Sequence, residues 1–212
     1  MANSVKDPIS VSIIGGSGYT GAELIRLVSK HPHFQLNQVV ANRNAGKKIQ
    51  DIFPHLRHLN LPDFINFDQM DFDNVDLIFC ALPHATSQEI IVKIPEGKKI
   101  IDLSADFRLE QVEEYERWYG TKHIAHSLQE KAVYGLTEIY KEKIKKGSLI
   151  ACTGCNSAAS LYPVLPLLNE GIINSDSLII NLGAGVSGAG RDAKQNIIPV
   201  SYTHLTLPTN VQ

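Results

Sequence analysis

The stretch SVSIIGGSGYTGAELIRLV, residues 10–28, decides the fold because it joins an apolar run to an amphipathic run through a glycine turn. Residues 10–14 predict a short buried strand, and residues 19–28 place aliphatic side chains at helical spacing. Three glycines stand at three-residue intervals: Gly15, Gly18 and Gly21. This order is typical of a dinucleotide-binding unit, in which the backbone approaches a pyrophosphate at the helix N-terminus. A glycine turn without a ligand is the alternative, and the strand and helix context favours binding.

Strand-like and helix-like segments alternate along the rest of the chain. Strands are predicted at FQLNQVVA (34–41), VDLIFCALP (75–83), KKIIDLS (98–104), SLIACTG (148–154) and DSLIINLG (176–183), the last leading into a glycine-rich loop. Helices are predicted at TSQEIIVKI (86–94), with a Thr or Ser cap, at EQVEEYERWYG (110–120) and at NSAASLYPVLPLL (156–168). This alternation predicts an α/β fold with a Rossmann-like, doubly wound parallel sheet.

Length and composition exclude several classes of protein. The 212 residues allow one or two domains with a substantial core, and 43% hydrophobic with 20% charged residues is typical of a globular protein. A net charge of -2 gives no electrostatic footprint for nucleic acid, so no such partner is predicted. No apolar run is long enough for a membrane span, no signal peptide is evident, and three cysteines form no secreted disulfide framework. We therefore predict a cytoplasmic protein without a membrane partner.

A cation stands where the second strand ends. In NAD-type sites a carboxylate occupies this point and binds the ribose 2′-hydroxyl, but VVANRNAGKK (39–48) has Arg43 there, with two lysines nearby. A guanidinium suits a 2′-phosphate, which favours NADP(H) as the cofactor. A solvated basic loop remains the alternative.

The stretch ACTGC, residues 151–155, holds a pair of cysteines between a strand and a helix. A thiolate at a helix N-terminus is stabilised by the helix dipole and by free N–H groups, so Cys155 is the predicted nucleophile and Cys152 the bystander. Zinc needs four ligands, and the sequence has no second such pair, so no metal site is predicted. A thioredoxin-like dithiol is a further alternative, which the glycine turn disfavours.

A thiol beside a hydride carrier suits acyl transfer followed by reduction. The thiolate displaces the leaving group of an activated acyl compound, such as an acyl phosphate, and hydride then reduces the thioester to an aldehyde. This chemistry needs donors for the oxyanion and cations for anionic substrate groups; the candidates are Asn156, Arg108 and Arg191. As alternatives, Arg108 forms a surface ion pair with Asp106, and Arg191 belongs to a flexible loop.

Seven stretches, in order from about residue 10 to about residue 196, carry a family resemblance: GGSGYTGAEL, AGKKIQDIFPHL, ALPHATSQE, IIDLSADFRL, AVYGLTEIY, ACTGCNSAA and GVSGAGRDAK. Together they resemble N-acetyl-gamma-glutamyl-phosphate reductase, an enzyme family of arginine biosynthesis. The resemblance implies NADPH-dependent reduction of a small-molecule acyl phosphate to a semialdehyde, with a thioacyl intermediate on Cys155. It also implies a homo-oligomeric parent protein.

The resemblance also implies site residues. The cofactor turn falls on Gly15, Ser17, Gly18, Tyr19, Thr20 and Gly21. The 2′-phosphate contact falls on Arg43, and the wall on the nicotinamide side falls on Pro83 and His84. Substrate contacts fall on Arg108, Glu138 and Arg191.

Two departures from the family pattern open alternatives. Thr153 and Asn156 flank the Gly-Cys pair where the family commonly has Pro and Tyr, a variant similar to reductases of carrier-linked aminoadipyl or glutamyl phosphate in lysine biosynthesis. The sequence after Pro199 also departs from the family, and the chain looks truncated. An inactive fragment that only binds dinucleotide is therefore a further alternative. His204 lies in that tail and is not assigned as a base.

We predict three regions from these changes of motif. Residues 1–150 form an NADP-binding Rossmann-like domain, residues 151–199 an incomplete α+β substrate (dimerisation) domain, and residues 200–212 a tail outside the family.

Overall fold

The structure, a computed structural model, describes residues 7–191 and contains one sheet of seven strands, all paired in parallel. The strands are β1 (Ile9–Ile14), β2 (Phe34–Val40), β3 (Phe64–Ile65), β4 (Leu77–Cys80), β5 (Lys99–Asp102), β6 (Ala132–Gly135) and β7 (Leu149–Cys152). Their order across the sheet is β3-β2-β1-β4-β5-β7-β6. The α-helices are α1 (Tyr19–Val28), α2 (Ile49–Ile52), α3 (Thr86–Ile91), α4 (Val112–Tyr119), α5 (His126–Gln129), α6 (Thr137–Lys146) and α7 (Cys155–Asn169).

Apolar residues cover both faces of the sheet. Successive residues of a strand point to opposite faces, and Ile13 accordingly belongs to one core cluster while Ile14 belongs to the other. The cluster of Ile13 includes Ile25 and Val28 of α1, and the cluster of Ile14 includes Ile91 of α3. Two buried faces are the mark of a doubly wound parallel sheet, so the predicted fold class is confirmed.

The chain reverses its direction of winding at β1. Strand β2 lies on one side of β1 and β4 on the other, so the loops that follow β1 and β4 diverge and leave a crevice at the carboxyl edge. The strand ends there are level, since Ile14 pairs with Cys80, Cys80 with Asp102, and Asp102 with Ala151. The loops that follow these strands therefore lie along the same carboxyl edge of the sheet.

Three local features differ from the prediction. Residues 178–185 form no strand, and Ile179 is 87% exposed, because no described strand lies beside them to complete a ladder. The helix α3 has no Thr or Ser cap: Thr86 is already helical, and the N-cap residue is Ala85, which makes no side-chain cap. The strands β3 and β6 and the helices α2, α5 and α6 were not predicted from the sequence. No helix within residues 7–191 is both long and apolar enough to cross a membrane.

Candidate active site

The glycine turn after β1 is packed so tightly that side chains do not fit at three of its positions. A Cβ on Gly15 would lie 2.4 Å from the carbonyl oxygen of Ala81, and Gly15 has a φ of +86°. A Cβ on Gly16 would lie 2.2 Å from Val39, and one on Gly21 would lie 2.6 Å from the Gly16 backbone. These glycines let α1 start directly against the ends of β2 and β4.

The remaining glycine of the turn, Gly18, faces open space. Gly18 is the N-cap of α1, and a Cβ there would have no atom within 4 Å. Ser17 beside it is half-buried, Tyr19 and Thr20 are exposed, and no acidic residue lies in the first turn of α1. Free backbone N–H groups at a helix start favour an anion. The turn thus has the open space and the polarity that a pyrophosphate requires.

The end of β2 lies beside this turn. The N–H groups of Gly15 and Gly16 both donate to the carbonyl oxygen of Val40, at 2.9 and 3.0 Å. Arg43 follows three residues later in an exposed 3₁₀ turn, Asn42–Asn44. Arg43 is therefore an exposed cation three residues after Val40, whose carbonyl oxygen contacts the glycine turn, and its contact with a 2′-phosphate stays a prediction.

Pro83 and His84 are exposed in the loop that follows β4. The His84 ring accepts a 3.1 Å hydrogen bond at Nδ1 from the backbone N–H of Ala105, and its centre lies 5.5 Å from that of Tyr119. Nδ1 is thus unprotonated, and the proton of the neutral ring is on Nε2. The next residue, Ala85, has a φ of +66° and is the one non-glycine residue with positive φ within residues 7–191. Such a conformation costs about 1–3 kcal/mol.

Asp106 is a buried residue that was not predicted to belong to the site. Its carboxylate accepts hydrogen bonds from the N–H of Ala85 at 2.8 Å, the N–H of Gln88 at 2.9 Å and the hydroxyl of Tyr115 at 2.8 Å. Burial, followed by the hydrogen bond to Asp106, raises the pKa of Tyr115, so its hydroxyl keeps its proton and donates. The predicted alternative of a surface ion pair between Asp106 and Arg108 is wrong, because Asp106 is fully buried and its carboxylate binds these three neutral donors.

Arg108 connects the end of β5 to the end of β7. Its Nε donates to the carbonyl oxygen of Cys152 at 2.6 Å, and its Nη2 donates to that of Leu103 at 2.8 Å. Nη1 would lie 3.2 Å from a Cβ on Gly154, so the guanidinium lies against the residue before Cys155. Beside it is a cleft of about 280 Å³ whose lining includes Tyr119, Tyr134 and Ser157.

The two cysteines of the pair have opposite environments. Cys155 is exposed at the first position of α7, after the N-cap Gly154, and no acidic residue lies in the first turn. Its Sγ lies 3.8 Å from Oδ1 of Asn156. Cys152 is half-buried at the end of β7, and burial, followed by the charge of Asp102, raises its pKa to about 11. At neutral pH Cys152 is therefore a thiol, and the accessible sulfur is that of Cys155.

The remaining predicted substrate residues lie apart from Cys155. Glu138 is exposed at the start of α6, where a hydrogen bond from Tyr162 lowers its pKa. Tyr162 is two turns from Cys155 on α7, a distance of about 10 Å along the helix. Arg191 donates from Nη1 to the carbonyl oxygen of Ser17 at 3.1 Å and lies over the Phe53 ring. The structure thus places Arg191 at the glycine turn, and its substrate role stays a prediction.

No group of three or more His, Cys, Asp or Glu side chains that could hold a metal occurs within residues 7–191. His204 and the tail 200–212 lie outside the described residues.

The fold and the site define a dinucleotide-binding protein with an exposed cysteine at the same sheet edge as the cofactor turn. Residues 10–147 match the family described as semialdehyde dehydrogenase, NAD binding domain, and residues 155–206 match semialdehyde dehydrogenase, dimerisation domain. The chain belongs to the semialdehyde dehydrogenase family. The domain boundaries proposed from sequence remain predictions, and the second match ends inside the stretch 200–212.

Relatives at about 50% identity confirm the resemblance that the sequence motifs carried. The chain is 50% identical over 198 residues to N-acetyl-gamma-glutamyl-phosphate reductase of Rhodobacter capsulatus, covering 93% of this chain and 58% of the relative. It is 51% identical over 189 residues to the enzyme of that name from Roseobacter denitrificans, covering 89% and 55%. A probable chloroplastic N-acetyl-gamma-glutamyl-phosphate reductase of Arabidopsis thaliana is 50% identical over 187 residues, covering 88% and 47%. The chain spans about half the length of these relatives.

Solved structures share the fold at low sequence identity. An aspartate semialdehyde dehydrogenase from Candida albicans, determined with NADP, matches with a TM-score of 0.55 at 20% identity, covering 77% of this chain and 48% of that one. Aspartate semialdehyde dehydrogenase II from Vibrio cholerae matches with a TM-score of 0.57 at 16% identity, covering 77% and 43%.

Proposed function

We propose that this chain carries the cofactor site and the nucleophile of an NADP(H)-dependent N-acetyl-gamma-glutamyl-phosphate reductase. The observation that carries the proposal is the exposed Cys155 at the start of α7, on the same sheet edge as the glycine turn. The relatives at about 50% identity support the substrate, and the match to a dimerisation domain supports a homo-oligomeric parent protein.

The glycine turn fits the cofactor. A Cβ on Gly15 or Gly21 would collide with neighbouring backbone atoms. Gly18 leaves open space at the start of α1, where the helix N–H groups favour an anion. Arg43 is the residue we propose to bind the 2′-phosphate, which favours NADP(H) over NAD(H). A solvated basic loop is the alternative for Arg43.

The acyl chemistry falls to Cys155. Its thiolate attacks the acyl carbon of the acyl phosphate, the carbon–sulfur bond forms, and inorganic phosphate leaves with the electrons of the broken carbon–oxygen bond. When bound, the dinucleotide would supply the hydride that adds to the carbonyl carbon of this thioester, and the aldehyde would form as the carbon–sulfur bond breaks. The Cys155 thiolate then leaves with the electrons of the carbon–sulfur bond and is ready for another cycle.

Two residues are placed to assist this step. Arg108 lies against Gly154, and its Nη1 has no hydrogen-bond partner within residues 7–191, so it can bind an anionic substrate group or the oxyanion. Asn156 follows Cys155, and its backbone N–H and amide are further donors for the oxyanion. We propose Glu138 and Arg191 as contacts for more distant parts of the substrate.

The direct test is a search for the acyl adduct. The full chain is incubated with N-acetyl-gamma-glutamyl phosphate without cofactor, and intact mass and peptide mass spectrometry locate the acyl group. We expect an adduct on Cys155 that NADPH removes, no adduct in Cys155→Ser, and an unchanged adduct in Cys152→Ala. Absence of the adduct with NADPH binding intact would support the alternative of a dinucleotide-binding fragment without turnover. A requirement for Cys152 would support the dithiol alternative, which its raised pKa disfavours.

A second acyl substrate is favoured by one observation. Thr153 and Asn156 flank Gly154 and Cys155, and the Thr153 hydroxyl lies 2.7 Å from that of Tyr134, which lines the cleft. This variant supports a carrier-linked aminoadipyl or glutamyl phosphate as the alternative substrate. Parallel incubations with free and carrier-linked acyl phosphates distinguish the two, since the true substrate acylates Cys155 faster.

A further inference from the structure

The loop that carries His84 lies between the glycine turn and Cys155. Along the carboxyl edge the strands run β1, β4, β5, β7, so the turn comes first, His84 follows β4, Asp106 follows β5 and Cys155 follows β7. Neighbouring strands are about 4.8 Å apart, which makes the span from β1 to β7 about 14 Å. A dinucleotide held at the turn and reaching towards Cys155 must therefore cross the loop of His84.

Backbone contacts determine how His84 meets such a ligand. Its Nδ1 accepts the N–H of Ala105, the residue directly before Asp106, which leaves the Nε2–H of the exposed ring as the free donor. The other side of the loop is Ala85, in its strained backbone conformation. Asp106 therefore contacts His84 through two residues. It directly follows Ala105, which donates to the His84 ring, and it accepts a hydrogen bond from Ala85, which directly follows His84.

The carboxylate of Asp106 holds Ala85 in that conformation. One carboxylate oxygen accepts the N–H of Ala85 and the other accepts the N–H of Gln88 in the first turn of α3, where Ser and Thr provide no cap. The Asp106 backbone is itself fixed, because its N–H donates to Ser104 Oγ at 3.0 Å and its carbonyl oxygen is 2.9 Å from the ring Nε2 of His123. The carboxylate therefore joins the loop after β4 to the loop after β5.

We propose that Asp106 is a positioning residue: it fixes the orientation and the Nε2–H tautomer of His84, and thereby the contact of that loop with the nicotinamide end of the cofactor. This inference rests on the proposed function for the identity of the ligand. The tautomer itself is a property of the free chain and can be measured without any ligand.

The matched variants are Asp106→Asn and Asp102→Asn. The first keeps the side-chain volume at position 106, but the amide nitrogen it introduces cannot accept, so one set of donors is left unpaired. Asp102 is equally buried and accepts from the hydroxyls of Ser87 and Ser104, with no bond to Ala85 or Ala105. It controls for a buried Asp-to-Asn change that also contacts Ser104, the acceptor for the Asp106 N–H, but leaves the bonds from Ala85 and Gln88 to Asp106 in place. Tyr115→Phe, which removes one donor to Asp106, is a milder second variant.

The first measurement is the ¹⁵N spectrum of the histidine rings in the full chain. We expect the wild type and Asp102→Asn to show His84 as the Nε2–H tautomer, and Asp106→Asn to show a tautomer mixture, with a smaller change in Tyr115→Phe. A purely structural role would not alter the tautomer selectively. An unchanged His84 signal in a folded Asp106→Asn, or in Tyr115→Phe if Asp106→Asn does not fold, overturns the inference.

The second measurement compares NADPH with 2′-phospho-ADP-ribose, which lacks the nicotinamide. We expect Asp106→Asn to weaken NADPH binding about fivefold to tenfold and to change binding of the shorter ligand less than about twofold. Equal weakening of both overturns the inference. If the wild type binds neither ligand, the proposed function fails, and the tautomer measurement still decides the role of Asp106.

Discussion

The Nε of Arg108 donates a 2.6 Å hydrogen bond to the carbonyl oxygen of Cys152, three residues before Cys155. With the second bond to Leu103, the guanidinium joins the ends of β5 and β7 and is held against Gly154. Part of this side chain is therefore structural, and within residues 7–191 the N–H groups of Nη1 and the second N–H of Nη2 remain for a ligand.

Replacement of Arg108 by Lys should slow acylation of Cys155 about tenfold to a hundredfold, because a point charge cannot form both carbonyl bonds and also reach the substrate. Loss of the two bonds should also reduce the free energy of unfolding by about 1–3 kcal/mol. Acylation rates by mass spectrometry and urea unfolding measure the two effects. Arg117→Lys, on the exposed side of α4, is the control and should change neither. An acylation rate in Arg108→Lys equal to that of the wild type would show that Arg108 does not contribute to acylation of Cys155.

The glycine turn allows the packing and binding roles of its residues to be separated. Gly15→Ala should lower the free energy of unfolding by more than about 2 kcal/mol, since its Cβ meets Ala81 at positive φ. Gly18→Ala should lower the free energy of unfolding by no more than about 1 kcal/mol, since its Cβ meets nothing and Ala is only a poorer N-cap residue than Gly, yet it should weaken NADPH binding if the pyrophosphate lies there. Denaturant unfolding and fluorescence titration give both quantities. Tight binding by Gly18→Ala would contradict the placement of the pyrophosphate.

Arg43→Ala should raise the Kd for NADPH about tenfold or more and leave the Kd for NADH within about twofold, because only NADPH has the 2′-phosphate. Arg57→Ala is the control: it removes an exposed arginine that bonds the carbonyl oxygen of Pro54. Equal loss of NADPH and NADH affinity would show that Arg43 supports the fold and does not bind the 2′-phosphate. No loss of either affinity would support the alternative of a solvated basic loop.

His123 should make the protein less stable as the pH falls. Burial lowers the pKa of His123 below its usual value of 6.5, and the neutral ring accepts the N–H of Ala125 at Nδ1. Its folded pKa is depressed, so the unfolded state binds the proton more readily, and stability is lost as the pH falls below about 6.5. Urea unfolding at pH 7 and pH 5 should show the loss, and His123→Gln should show a smaller one. An equal loss in His123→Gln would assign the effect to other groups.

Short-range patterns in the sequence predicted much of the fold and part of the site. The alternation of apolar runs predicted the parallel sheet, and the spacing between Gly15 and Gly21 predicted the turn, because both depend on neighbouring residues. The position of Cys155 at a helix start was predictable for the same reason. The roles of Asp106 and Ala85 were not, because their hydrogen bond joins residues 21 positions apart. The strand predicted at residues 176–183 does not form, because strand formation requires a partner that local sequence does not reveal.

The donors to Asp106 are two amides and a phenol, all uncharged, whereas the two ion pairs within residues 7–191, Glu23–Arg26 and Glu142–Lys145, are on the surface. Ionic strength therefore acts on different parts of this molecule to different degrees. Mobile ions screen an exposed guanidinium such as Arg43, but they do not enter the interior where Asp106 lies. Raising the salt concentration should consequently weaken the capture of a doubly charged phosphate while the loop of His84 keeps its shape, so that salt regulates occupancy and leaves the scaffold unchanged.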